Sequence, residues 1–155
     1  MERLLSKFGD MIKTVQYIEH NLTEIIRLHH VLRLFDEKDI VPGDEYEEAE
    51  KAARELSEKF YNRSLGQVVN LIKEYHILSN SELEDLGTIL DKRNYFVHHY
   101  FKDNDFEKHS DNYDFIFNQT NRLINFQITI DGFNNKLCEL INELEEEYDL
   151  IDDAA

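Results

Sequence analysis

The sequence predicts an all-α protein, an up-and-down bundle of four to five helices. Its 155 residues contain only five glycines and one proline, so the chain has few breaks. The apolar residues recur every three or four positions, which is the spacing of a helix face and not of a strand. This length is typical of one domain, so we expect a single folding unit over residues 1–155.

The first helix is predicted over about residues 3–35, because its apolar residues step by four and three along one seam. The seam consists of Met11, Val15, Ile18, Leu22, Ile25, His29 and Leu32. The following segment, "DEKDIVPGD", holds the single proline and is predicted to be a connection. Asp44 is the expected cap of a second, acidic helix that ends near Asn62.

Three further segments complete the predicted bundle. An apolar helix begins near Ser64, and the next one, in "SNSELEDLGTILDKRNYFVHHYFK", opens with a capping box of Ser81 and Glu84. After a polar loop, "DNDFEKHSDN", a last helical seam follows, interrupted in its pattern by Gly132. The acidic end, "ELEEEYDLIDDAA", is expected to fray. The last seam consists of Ile116, Leu123, Phe126, Ile130, Phe133, Leu137, Leu140 and Leu144.

Composition narrows the classes of function. With 17 Lys and Arg against 33 Asp and Glu, the net charge of −16 opposes binding to polyanions, so any nucleic-acid contact has to be local. Cys138 is the only cysteine, and no signal peptide or membrane-spanning run is evident, so we expect a cytoplasmic protein without a membrane partner. No zinc spacing or phosphate-binding glycine loop is present, and we expect neither metal nor cofactor.

The stretch "RNYFVHHY", residues 93–100, concentrates polar chemistry on one helix. On a helical projection the leucines at 83, 86 and 90 define an apolar stripe, and Arg93 and His98 are expected on its two sides. Asn94 is four residues before His98, close enough for its amide to orient the imidazole. His99 is expected to point elsewhere.

The same residues resemble the signature of the HEPN superfamily of all-α domains, in which an arginine and a polar residue are followed, after three residues, by a histidine. Arg93, Asn94 and His98 match this pattern position by position. In HEPN toxins that pair with a nucleotidyltransferase antitoxin, a tyrosine follows two positions after the histidine, and Tyr100 is similar in this respect. His99 offers an alternative spacing that the family also tolerates.

The resemblance implies a HEPN-like bundle and a metal-independent endoribonuclease of the toxin–antitoxin or phage-defence type, acting on tRNA or mRNA. Arg93, His98 and Asn94 would be its catalytic residues, and Tyr100 a regulatory site for adenylate transfer from an antitoxin. His98 would move the proton and Arg93 would bind the phosphate oxygens. A second acid–base group is missing from one chain, so a homodimer is expected to supply it. A non-catalytic interaction module or a nucleotide-binding module remains the alternative.

Overall fold

The computed structural model describes residues 1–38, 47–48, 50–52, 54–55, 58 and 64–153. These residues are helical or lie in turns, and no strand occurs among them. The predicted all-α class is therefore confirmed. None of the helices within this described part of the chain has a stretch long and apolar enough to cross a membrane.

Helix α1 spans Glu2–Lys38 and buries the seam that the sequence predicts. Met11, Leu22 and Ile25 are completely buried, and Val15, Ile18 and Leu32 are nearly so. His29 departs from the apolar pattern of the seam and is only half-buried. The segment that follows, with the proposed cap Asp44 and the predicted end near Asn62, falls largely outside the described residues. Those described between 47 and 58 are helical.

Helix α2, Leu65–Glu74, begins where the sequence predicts. The hydroxyl of Ser64 accepts a hydrogen bond from the backbone N–H of Gln67, whose side-chain oxygen accepts from the Ser64 N–H. This reciprocal pair is a capping box that satisfies two N–H groups at the start of the helix. The chain leaves α2 through His76, whose φ of 53° is in the left-handed region.

Helix α3, Asn80–His98, has its capping box two residues earlier than the prediction of Ser81 and Glu84. The Ser79 hydroxyl accepts from the Glu82 N–H at 3.1 Å, and a Glu82 carboxylate oxygen accepts from the Ser79 N–H at 3.0 Å. Both pairs have the same Ser-x-x-Glu spacing. The earlier pair puts buried Leu78 just before the cap and Leu83 at the fourth helical position, the two positions of a hydrophobic staple.

The predicted helix over the "RNYFVHHYFK" segment breaks at His99. Its φ of −125° and ψ of −23° end α3, and a one-turn helix α4 follows over Tyr100–Asp103. The Asn104 amide donates to the Tyr100 carbonyl at 2.6 Å and to the Tyr95 hydroxyl at 3.0 Å, which fixes the end of this turn. Tyr100 is buried just after this break, and its ring packs on Phe96 and Phe106 with centroids 4.9 and 5.1 Å apart.

Helix α5, Tyr113–Asp153, is continuous over 41 residues. Gly132 does not interrupt it, and because a Cβ there would meet nothing within 4 Å, no close packing requires a glycine at this position. Its intrinsic cost of about 1 kcal/mol relative to alanine is small beside the burial of the neighbouring seam. Leu123, Phe126, Ile130, Phe133 and Leu137 are all buried, as predicted. Fraying of the acidic end stays a prediction, although the helix continues to Asp153.

The chain folds into two compact units, each made of two separate stretches of sequence. Unit 1 comprises Met1–Tyr17 and Ser79–Asn134, and unit 2 comprises Ile18–Leu78 and Asn135–Ala155. In unit 1 the start of α1 contacts α5 through Gln127 and Thr14, whose side-chain atoms are 2.8 Å apart. All residues of the "RNYFVHHY" stretch belong to unit 1. That the whole chain folds as one domain stays a prediction.

Candidate functional site

The buried stripe of α3 is not the one that the sequence predicts. Leu86, Ile89 and Phe96 are buried and lead to buried Tyr100, whereas Val97 is 42% exposed. On the helical projection this stripe is rotated by about 80° from the predicted one. The reason is aromatic packing, since Phe96 stacks on Phe126 of α5 with centroids 5.2 Å apart.

The rotation changes the positions of the predicted site residues. Arg93 lies within the buried stripe, one turn from Ile89 and from Phe96, and its side chain is partly buried. His98 is exposed on the opposite face of α3, about 140° around the helix axis from Arg93. Arg93 therefore lies within the buried stripe and does not flank it, whereas His98 lies outside the stripe. The prediction that both flank the same stripe is wrong.

Asn94 contacts Arg93 in this structure. The Arg93 Nη1 atom donates to the Asn94 Oδ1 atom at 2.9 Å, so the amide oxygen positions the guanidinium. Asn94 and His98 are both exposed, and within the described part of the chain no hydrogen bond joins them. His99 is also exposed, at the junction of α3 and α4. Which of the two histidines is functional stays open.

Tyr100 is completely buried. Its hydroxyl oxygen is also buried and meets no hydrogen-bonding atom of the described residues. Burial raises the pKa of Tyr100 to about 12, against an opposing effect of the Arg122 charge. A transferase could reach this hydroxyl only if α4 moved away from the aromatic cluster. Adenylate transfer to Tyr100 stays a prediction and carries this structural requirement.

A groove between α3 and α5 adds two cations that the sequence did not reveal as site residues. It has a volume of about 280 Å³, and Lys92 and Arg122 stand on opposite walls. The Lys92 ammonium is 5.8 Å from the Phe126 ring centroid, and the Arg122 guanidinium is 5.5 Å from that of Tyr95. Lys92 directly precedes Arg93, but nothing in one sequence pairs it with a residue thirty positions later.

Unit 2 holds a second concave site of about 470 Å³. His29 and Arg33 of α1 face Tyr75 and Glu74 from the end of α2 and Glu147 of α5. The His29 and Tyr75 rings are 5.7 Å apart, and Arg33 lies 5.6 Å from the Tyr75 ring. Burial lowers the pKa of His29, as does the charge of Arg33, while Glu147 acts in the opposite direction.

Across the described residues, no group of three or more His, Cys, Asp or Glu side chains is arranged to hold a metal ion. No protein-family model, curated protein or solved structure matches this chain.

Proposed function

We propose that this protein is a metal-independent endoribonuclease with a HEPN-like fold, cutting RNA at a composite Arg/His site formed by two copies of the chain. The single observation that carries the proposal is the Arg93–Asn94 pair, held together by a hydrogen bond one turn before exposed His98. The pair presents a guanidinium on a partly buried side of α3, while His98 is exposed to a substrate or to a second copy.

The proposed reaction uses the RNA's own 2′-hydroxyl. A base removes the 2′-proton, the oxygen attacks the adjacent phosphorus, and the 5′-oxygen leaves with a proton from an acid, giving a 2′,3′-cyclic phosphate and a 5′-hydroxyl. Histidine is the side chain that most readily takes both roles near neutral pH. A guanidinium stabilises the negative charge that develops on the five-coordinate phosphate.

A second copy is needed because one chain supplies only one His98, whereas the reaction uses both a base and an acid. Two apolar side chains beside this histidine are exposed, Val97 at 42% and Phe101 at 39%. Leu5, at 51% exposure, belongs to the same unit, and its neighbour Phe8 contacts Phe101 with ring centroids 4.9 Å apart. Apolar surface next to the motif supports a homodimer that covers it and lines one cleft with both motifs.

The proposal is tested by incubating the purified protein with tRNA and mRNA in the presence of a chelator. Wild type should cut RNA, and His98→Ala and Arg93→Ala should each lower the rate at least about 100-fold. His99→Ala is the matched control and should keep its activity, whereas an equal loss would make His99 the functional histidine. Circular dichroism has to show folded variants. A wild type that cuts none of these RNAs would overturn the proposal.

The homodimer is tested separately by light scattering coupled to size exclusion. Val97→Glu should convert the dimer to monomer, because it puts a charge into the proposed interface. Ile128→Glu is the control, since Ile128 is an exposed apolar residue, at 66%, on α5 of the same unit. If the wild-type protein is a monomer at micromolar concentration, the proposal of a composite site formed by two copies is contradicted.

The second candidate is a helical interaction module that performs no chemistry. The exposed Val97 and Phe101 favour it, because they offer apolar surface whether or not His98 reacts. In that case Val97→Glu would abolish association, while wild type and His98→Ala would be equally inactive towards RNA.

The expected antitoxin partner is a nucleotidyltransferase-type protein encoded beside this chain. Co-expression with the neighbouring gene, followed by intact-mass measurement and peptide mapping, tests it. Adenylate on Tyr100 would add one nucleotide mass and would require α4 to open. Unmodified Tyr100, together with full inhibition of a Tyr100→Phe variant, would exclude this form of regulation.

A further inference from the structure

The groove between α3 and α5 combines positive charge with aromatic surface. Lys92 and Tyr95 line it from α3, and Arg122, Asn125 and Thr129 line it from α5. Phe126 forms part of its buried base beneath Lys92. Its volume of about 280 Å³ is just below the range of about 300–1,000 Å³ for ligand pockets, so the groove can hold only a small group.

Neither cation of the groove is neutralised by a carboxylate of the described residues. Arg122 donates to the neutral amide oxygen of Gln119 at 3.1 Å and otherwise faces the Tyr95 and Tyr100 rings. Lys92 faces the Phe126 ring, and no ion pair joins either cation to any described residue. The described lining of the groove contains no Asp or Glu. In a chain with a net charge of −16, this is a local positive site of the kind that a polyanion requires.

We infer that this groove binds a nucleotide unit of single-stranded RNA. Lys92 and Arg122 would contact oxygens of successive phosphates along the RNA. A base would stack on the Arg122 guanidinium or on the partly exposed Tyr95 ring. The Asn125 amide offers both a donor and an acceptor to a base edge. Aromatic surface between two cations favours RNA over an acidic peptide, which has no bases to stack.

The groove is adjacent to the motif on the same helix. Lys92 directly precedes Arg93, and Tyr95 directly follows Asn94, so the groove and the motif share one segment of α3. By helical position His99 follows on the face of Lys92 and Tyr95. The inference rests on the proposed function for its choice of RNA but does not require cleavage.

Binding is measured by fluorescence anisotropy with a labelled 12-nucleotide RNA in which every 2′-hydroxyl is methylated, so that it cannot be cut by the proposed reaction. Wild type should bind at 50 mM salt and weaken as salt rises. Lys92→Gln should lower the affinity roughly fivefold and Arg122→Gln roughly tenfold. Each should also lower the slope of log K against log salt by about 0.7.

Two substitutions control for charge and for the cation–aromatic contact. Lys13→Gln removes a lysine that is likewise 5.8 Å from a ring, that of Tyr17. Arg33→Gln removes an arginine 5.6 Å from the Tyr75 ring. Both should bind the probe as wild type does. Equal losses in the controls, or no binding by wild type, would overturn the inference.

The outcomes separate this inference from the ribonuclease proposal. His98→Ala should still bind the methylated probe as wild type does, even where it no longer cuts RNA, because this histidine would move a proton and does not line the groove. If wild type binds the probe but cuts no RNA, only the ribonuclease proposal is contradicted. If wild type cuts RNA but Lys92→Gln and Arg122→Gln bind the probe as wild type does, only the inference about the groove is contradicted. Displacement of the probe by oligoglutamate of equal charge, at equal concentration, would assign the groove to an acidic protein and overturn the RNA assignment.

Discussion

Two arginine–tyrosine pairs of almost equal geometry occur in the two units of this protein. Arg122 lies 5.5 Å from the Tyr95 ring in unit 1, and Arg33 lies 5.6 Å from the Tyr75 ring in unit 2. Their surroundings differ. The Arg33 site also contains Glu74 and Glu147, whereas no carboxylate of the described residues lines the groove of Arg122.

The contact between an arginine and a tyrosine ring therefore does not by itself determine the role of the arginine. In unit 2 the glutamates offset the positive charge, and Arg33 and Glu147 shift the pKa of His29 in opposite directions. In unit 1 the aromatic rings accept Arg122 and Lys92 without neutralising them. A ring's quadrupole attracts a cation but leaves its full charge available to an anion. We therefore expect the unit 1 groove to bind and the unit 2 cavity to be mainly structural.

The largest expected effect comes from removing the aromatic base of the groove. Phe96→Ala should lower the free energy of unfolding by about 3–5 kcal/mol, because Phe96 packs between Phe126 and Tyr100. Ile72→Ala, at a completely buried position in unit 2, should cost about 2–5 kcal/mol. Denaturant unfolding followed by circular dichroism measures both.

The same titration tests whether the two units unfold together. Helices α1 and α5 each contribute residues to both units, so we expect one cooperative transition in wild type and in both variants. A biphasic curve in which Phe96→Ala shifts only one phase would show two independent folding units and contradict the single-domain prediction.

The second-largest effect is expected from adding a carboxylate to the unit 1 groove, because the unit 2 cavity already contains carboxylates. Asn125→Asp introduces a carboxylate into the groove that Lys92 and Arg122 line, and it should weaken binding of the methylated RNA probe by roughly tenfold, which corresponds to about 1.4 kcal/mol. Glu147→Gln, the converse change in unit 2, should leave binding unchanged. RNA binding gained by Glu147→Gln would show that the cavity is also a latent anion site.

A smaller effect is expected at the Tyr100 hydroxyl. Tyr100→Phe removes a buried polar atom with no hydrogen-bonding partner among the described residues, so it should raise the free energy of unfolding by about 1 kcal/mol. Tyr75→Phe is the control, because Tyr75 is partly exposed and should show no gain. Thermal unfolding compares the three proteins. A clear loss of stability in Tyr100→Phe would reveal a partner for the hydroxyl.

Because the pKa of Tyr100 is raised to about 12, this residue should make the free energy of unfolding depend on pH in the alkaline range. The unfolded tyrosine loses its proton near pH 10, whereas the folded one keeps it to about pH 12, so the unfolded state binds fewer protons between these values. Its contribution to stability is therefore complete below pH 10 and is lost as pH rises towards 12. Tyr100→Phe should lack this part of the alkaline decline.

The smallest effect is expected at His29 of unit 2. Burial and the charge of Arg33 lower its pKa, so the unfolded state takes up the proton first as pH falls. Its contribution is complete above about pH 6.5, the ordinary histidine value, and is lost as pH falls below it. Denaturant unfolding at several pH values below about 6.5 should show a smaller loss of stability in His29→Gln than in wild type.

Much of the fold was predictable because it depends on local chemistry. The seams of α1 and α5 follow directly from apolar spacing, and the start of α2 follows from the Ser64 capping box. The predicted start of α3 is two residues later than the observed one, because Ser79 and Ser81 are each followed by a glutamate three residues later. Only the burial of Leu78 distinguishes them.

The sequence alone determined that the chain is helical, which faces of its two long helices are apolar, and that Arg93, Asn94 and His98 share one helix. Each of these properties depends on residues within a few turns of one another. Tertiary structure determined that α3 buries Phe96 against Phe126, that α3 ends at His99, and that Lys92 and Arg122 line one groove. These outcomes depend on how aromatic side chains of distant segments fill one core, and helical periodicity carries no information about a helix's partner.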